Sequence, residues 1–204
     1  MTLLPAVVLV ELFTSQGCSS CPPADGLLAK LAEDPNVIVL SEHVDYWDYL
    51  GWKDPFSSPV FSERQGNYSR RFALRGPYTP QMIVDGTEEF VGSDAGQARR
   101  SILRAMKTAK LEIAVQRAGE RIRIEAPAKG ELWIATVQHS GTAAVPRGEN
   151  AGRNLRHVAI VRNLQRMKGF TADLPAPAAG TRLVAFLQEK GQGRILGAVA
   201  VPDR

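Results

Sequence analysis

The apolar run Val7-Val8-Leu9-Val10-Glu11-Leu12-Phe13 leads through Thr14-Ser15-Gln16-Gly17 into Cys18-Ser19-Ser20-Cys21-Pro22-Pro23. No other stretch constrains the fold as much. A continuous, β-branched run over 5–13 reads as a buried strand of the parallel kind. Proline is tolerated in a helix only in its first turn, so a helix begins near Cys18 or Cys21. The chain's two cysteines thus lie at a strand-to-helix turn, one helical turn apart, where their sulfurs reach each other as dithiol or disulfide. Scattered at random, two cysteines would adopt this spacing roughly one time in a hundred.

The rest of the composition removes alternatives. With 44% hydrophobic and 23% charged residues the chain is neither disordered nor a membrane protein in character, and its 204 residues suffice for a real core. Two cysteines cannot staple a scaffold, and one pair serves equally in a reducing or an oxidising compartment. The start, Met1-Thr-Leu-Leu-Pro-Ala-Val-Val-Leu-Val, has no basic region and no small-residue cleavage site, and Glu11 cuts it short. It is neither a signal peptide nor a membrane span, but the lead-in to a strand.

Charge divides the chain. Residues 1–108 carry net −3 and residues 109–204 net +7, the excess including Arg147, Arg153, Arg156, Arg162, Arg166 and Lys168. No aromatic or glycine-rich recognition pattern accompanies these residues, so solvent-facing strand positions explain them better than a nucleic-acid partner does.

The helix after the cysteines carries Leu27, Leu28 and Leu31 as its stripe and ends at Asp34-Pro35-Asn36. Val37-Ile38-Val39-Leu40 is a second strand, leading into His43-Val44-Asp45-Tyr46-Trp47. Polar residues 56–74 predict one or two helices. A Tyr78-Thr79-Pro80 entry opens a third strand closed by the Asp85-Gly86 turn, with Glu89–Gly92 as hairpin partner. A helix over 95–109 follows, with Ala98, Ile102, Leu103 and Met106 on one face. From residue 110 the texture changes to short alternating strands at 111–117, 121–126, 131–139, 155–164, 181–188 and 194–201, with a Pro/Ala-rich loop at Leu174–Gly180.

This order, with cysteines at the first strand-to-helix turn and a Thr-Pro before the third strand, is the thioredoxin arrangement. The expected fold is therefore α/β (α+β). A thioredoxin-like domain spans 1–109, with a helical insertion at about 46–76, and a small antiparallel β-sandwich domain spans 110–204.

In such a fold Cys18, at the helix N-terminus, is the expected nucleophile, because unpaired backbone N–H groups favour its thiolate. Cys21, one turn inside, is the expected resolving thiol. Pro80 is expected to be cis and to lie against the dithiol, leaving Thr79 to pair with an extended substrate. Glu11 is either a buried proton acceptor beneath Cys21 or a strand-edge residue facing water. His43 either joins the thiolates as a ligand for Cu(I) or Zn(II), or hydrogen-bonds the long loop that follows; no fourth ligand is evident and no metal is expected. His139 and His157 are expected to be structural.

The segments Glu11–Asp25, His43–Pro55, Phe61–Gln65 with Tyr68, Tyr78–Gly86 and Gly148–Leu155 resemble a family of secreted thioredoxin-like proteins catalogued as domain of unknown function 1223. The resemblance covers essentially the whole chain. It implies a thioredoxin-like fold and, in bacteria, a periplasmic or secreted location, although this chain carries no export signal and a cytoplasmic one stays open. Gly17 stands where thioredoxins usually have Trp, which alters the docking surface. Trp47 and Trp52 are the aromatic residues available to replace it.

Three functions follow. The first is a thiol–disulfide oxidoreductase that needs no organic cofactor beyond the Cys18–Cys21 disulfide and acts on a protein or peptide thiol or disulfide, with a separate redox partner. The second is a metallochaperone using the same thiolates. The third is a binding module in which the pair is a structural disulfide.

Overall fold

In a computed structural model of the chain, residues 7–203 are described. The first strand, β1 (Val8–Thr14), is buried at every position; Pro5 and Ala6, which the sequence assigned to it, lie outside the described residues. Helix α1 (Pro22–Leu31) starts where the prolines require, with Cys21 as its N-cap. Strand β2 (Val37–His43) runs parallel to β1 from Val8↔Val37 to Thr14↔His43. After a short turn of 3-10 helix at Asp48–Leu50 comes α2 (Pro59–Arg71), capped by the Ser58 side chain. The hairpin β3 (Gln81–Val84) and β4 (Glu88–Val91) follows, with β3 antiparallel to β1. Helix α3 (Ala95–Ala105) is capped by Asp94; it is shorter than the sequence suggests, and Leu103 faces solvent.

The remaining strands are β5 (Ala114–Ala118), β6 (Arg121–Glu125), β7 (Glu131–Ala144), β8 (Asn154–Arg166), β9 (Thr171–Pro175), β10 (Thr181–Gln188) and β11 (Ile195–Val201). The sequence missed β9, whose alternation rests on Ala172 and Leu174 alone. A three-stranded sheet, β5-β6-β9, packs Ile122, Ile124 and Ala172 against Leu132, Ile134, Leu183, Ala185 and Leu187. That pair of layers is a sandwich. Its larger layer, however, is continuous with the first half of the chain in one eight-stranded sheet ordered β11-β10-β7-β8-β2-β1-β3-β4. The join is a parallel bridge, Ser41↔Ile160, between β2 and β8. Strand β10 reads Leu183-Val184-Ala185-Phe186-Leu187 because both its faces are covered: odd positions meet the small sheet, and Val184 and Phe186 belong to the core of the first half.

Strand β1 organises the site because its side chains alternate. Thr14 faces α1 and hydrogen-bonds Asp25, and Leu12 lies with Ala24 and Pro80 around Gly92, where a side chain would collide. Glu11 and Phe13 point the other way, to Arg64 and Tyr68 of α2.

Candidate functional site

Cys18 and Cys21 form a disulfide in the turn between β1 and α1. The helix begins at Cys21, whose carbonyl accepts the amides of Ala24 and Asp25. Both cysteines are enclosed, 2% and 0% exposed, whereas Ser19 and Ser20 between them face solvent. The Thr79–Pro80 peptide is cis. Thr79 borders the turn through its carbonyl, which accepts from Ser20 Oγ at 3.5 Å, and through its hydroxyl, which accepts from Trp47 Nε1 at 2.8 Å. Trp47 also explains Gly17, since a Cβ there would stand 2.9 Å from Trp47 Cβ. The indole from the 46–76 segment thus occupies the flank of the dithiol turn.

The β7–β8 loop closes over the turn from the far half of the chain. Asn150, 1% exposed, donates from one amide nitrogen to the carbonyls of Gln16 (2.9 Å) and Cys18 (2.8 Å). Arg153 donates to the Asn150 carbonyl oxygen. Glu149 accepts from the Ser19 amide at 3.0 Å, and its hydrogen bonding to Ser19 holds its carboxyl below the usual range. All three residues belong to Gly148–Leu155, a segment singled out in the sequence without a role.

Beneath the turn lies a buried polar cluster on the α1 side of the sheet. Asp25 Oδ1 accepts the Thr14 hydroxyl at 2.9 Å, and Asp25 Oδ2 stands 3.6 Å from His157 Nδ1. His157 Nε2 is 3.4 Å from Gln16 Nε2, and Gln16 Oε1 accepts from Trp52 Nε1 at 2.9 Å. His43 packs edge-on against His157, ring centroids 4.6 Å apart, and its Nδ1 meets Asp54 Oδ2 at 2.6 Å. Burial alone would push the Asp54 carboxyl up, but the His43 ring and the amides of Gln16 and Phe56 outweigh it and hold it below the usual range.

One sequence expectation needs correction here. Glu11 is buried, yet not beneath Cys21: being odd-numbered in β1, it faces α2, where Arg64 Nε and the Tyr68 hydroxyl each donate to it at 2.6 Å. Of the two readings of His43, the structure has the hydrogen bond to the long loop that follows: the ring is fully buried and its Nδ1 meets Asp54. Trp52 is engaged inward with Gln16, while Asp45 bonds Ser62 rather than joining His43. Among the described residues no group of three or more His, Cys, Asp or Glu side chains is arranged to hold a metal ion.

The residues that sequence reasoning missed are Asp25, His157, Gln16, Asp54 and Asn150. Asp25 left one signal: with Cys21, Ala24 and Leu28 it makes an i, i+3, i+4, i+7 stripe, so an acid occupies a core position of α1. Gln16 sits in the same turn, two residues before Cys18, and the others come from distant loops and strands, Asn150 being 132 residues from Cys18.

On the opposite face Glu11, Arg64, Glu42 and Tyr68 form a second buried cluster. Arg64 lies over the rings of Tyr68, Trp133 and Phe186 and donates to Gln188. Its guanidinium is held charged: burial works against the charge, and Glu11, Tyr68 and Glu42 overcome it. The Glu42 carboxyl, 3.7 Å from Arg64 Nε, makes no hydrogen bond; burial first and the neighbouring Glu11 second push it well above the usual range.

Compared with known proteins, residues 9–193 match the profile of a family described as protein of unknown function (DUF1223). A crystal structure of protein AGR_C_4864 from Agrobacterium tumefaciens is 30% identical, superimposes with a TM-score of 0.80 and covers 98% of this chain and 96% of its own. HBP35 of Porphyromonas gingivalis is similar in fold alone, at 16% identity and a TM-score of 0.63, covering 97% of this chain and 75% of its own. No curated protein matches.

Proposed function

The chain belongs to the DUF1223 family, whose description names no reaction, and from its site we propose that it catalyses thiol–disulfide exchange through Cys18 and Cys21. One observation carries the proposal: the two cysteines are disulfide-bonded at the start of α1, with Cys21 as N-cap. The positive end of the α1 dipole favours a thiolate beside it, the species that attacks disulfides, although the first two helical positions are prolines that have no N–H to offer. The element order through α3, with a Thr-Pro before β3, supports a thioredoxin-like assignment for this half.

In the reductive direction the Cys18 thiolate attacks one sulfur of a substrate disulfide, forming a mixed disulfide and expelling one substrate thiolate. The Cys21 thiolate then attacks Cys18 Sγ, closing the Cys18–Cys21 bond and expelling the second. The substrate disulfide is reduced by two electrons and the protein dithiol oxidised by two. The leaving thiolates take protons from solvent. Thr79 and Trp47, beside the turn, are the proposed docking edge for an extended peptide.

The test compares wild type with Cys18→Ser in the reduction of glutathione disulfide by dithiothreitol. Acceleration by wild type and none by the variant is expected; equal rates would sink the proposal. The measured reduction potential then assigns direction, a value of about −270 mV marking a reductant and about −120 mV an oxidant. The enclosure of both cysteines favours a second reading, a purely structural disulfide. In that case dithiothreitol would reduce the bond only after the protein unfolds.

A further inference from the structure

Resting on the exchange reading above, we propose that the tip of the β7–β8 hairpin, residues 146–152, is a gate over the dithiol, latched by Asn150, and that Cys18 reacts only once the tip has swung off. Exchange requires a second sulfur to reach Cys18 Sγ, yet Cys18 is 2% exposed. The closed fold therefore admits no substrate disulfide. One flank of the turn is fixed, because Trp47 packs against Gly17 and its indole donates to the Thr79 hydroxyl. The hairpin tip is the other flank.

That tip is built to move as one piece. The Val145 amide donates to the Arg153 carbonyl at 2.9 Å, and its carbonyl accepts the Gly152 amide at 2.8 Å. Inside the tip, the Ala151 amide donates to the Gly148 carbonyl and the Arg153 amide to the Asn150 carbonyl, both at 3.1 Å. Gly148 and Gly152 flank Glu149–Ala151 at φ of +81° and +79°, a left-handed backbone that glycine adopts without strain. Val145, 1% exposed, is buried at the base.

What fastens the piece to the dithiol turn is slight by comparison. Among the described residues the tip makes no backbone hydrogen bond outside its own hairpin. Three side-chain bonds hold it: two from Asn150 Nδ2 to the carbonyls of Gln16 and Cys18, and one that the Ser19 amide donates to Glu149. Arg153 grips the Asn150 amide oxygen from behind and so aims its nitrogen at the turn. Asn150 is the latch because it is enclosed, whereas water competes at the exposed Glu149. Opening hands these groups of the turn to water, and the β7–β8 ladder stays paired to Ala144↔Asn154. Such a motion belongs to the inexpensive end of local unfolding. It reconciles exchange chemistry with enclosed cysteines.

Reduction of the Cys18–Cys21 bond by dithiothreitol, which closes to its own cyclic disulfide as the protein gains two thiols, reads the opening. Asn150→Ala is expected to speed that reduction about tenfold or more without denaturant. It should also strip hydrogen-exchange protection from the Ser19 amide while the amides of β1 stay protected. Should alanine prevent folding, Asn150→Ser keeps a polar group that falls short of both carbonyls. Arg64→Met is the control: it weakens the fold on the other face of β1 and is expected to be reduced at the wild-type rate. The gate is overturned if the Asn150 variants are reduced no faster than wild type. It is equally overturned if Arg64→Met speeds reduction as much as they do, since global unfolding is then the route. Failure of the exchange reading looks different: wild type catalyses no reduction of glutathione disulfide, while the Asn150 variants still speed reduction of the protein's own bond.

Discussion

Strand β1 carries a buried polar cluster on each face, and the two are built for different ends. On the α2 face Glu11, Arg64 and Tyr68 are locked by charge-assisted hydrogen bonds at 2.6 Å and roofed by Trp133 and Phe186. On the α1 face His43 meets Asp54 at 2.6 Å and Thr14 donates to Asp25 at 2.9 Å, while the contacts that join Asp25, His157 and Gln16 to one another are longer, 3.4–3.6 Å. A buried charge with strong, fixed partners makes a poor proton carrier, since every protonation state but one is heavily penalised. On the proposed exchange reaction, the comparison assigns stability to the α2 face and chemistry to the face that carries the dithiol.

The strongest way to break that assignment is Arg64→Met. It strands Glu11 and Glu42 without their cation, and loss of one partner of a buried pair costs about 3–5 kcal/mol. Denaturant unfolding should report the loss, with acceleration of glutathione disulfide reduction by dithiothreitol unchanged in the protein that remains folded. A slower exchange rate would mean that the two faces are coupled.

Glu42→Gln probes the same face by pH. The folded-state pKa of Glu42 is raised by burial and by Glu11, so its stability contribution is complete below the unfolded value and is lost as pH rises through the folded one. Wild type should therefore lose up to about 1.4 kcal/mol per pH unit in that window relative to the variant, which cannot ionise. Parallel stability profiles would refute this.

The smallest effect belongs to the α1 side. Glu149→Gln removes a carboxylate from the Ser19 amide beside Cys18, leaving more of the helix-start field for the thiolate. Attack of the reduced protein on glutathione disulfide should quicken by less than about threefold, as expected of a fully exposed charge, and added salt should erase the difference. No change at low salt would show that Glu149 does not reach Cys18 electrostatically.

Much of the fold was legible in the sequence, and each success had a local cause. Pro22 and Pro23 set the start of α1, Asp85-Gly86 the hairpin, and alternation the later strands. What local signals left open was decided by long-range pairing. Nothing local distinguishes a sandwich set apart at residue 110 from one whose larger sheet joins β2 through Ser41 and Ile160. Glu11 was legible as an acid interrupting an apolar strand, but a strand's period says neither whether that face is covered nor by which helix. Asp25 was legible only as an acid on an apolar stripe.

By itself the sequence determined the dithiol: its spacing and its place at a strand-to-helix turn are encoded within a few residues, and the Thr-Pro before β3 is a second local signal farther along the chain. Only the tertiary structure decided what surrounds it. The carboxylate on the cysteine side is Asp25 rather than Glu11, its histidine comes from β8, and a loop from the second half of the chain closes over Cys18. The physical reason is range. Turns, caps and strand period act over a few residues, whereas the partners of a buried polar group are chosen by whichever segments the whole sheet brings together.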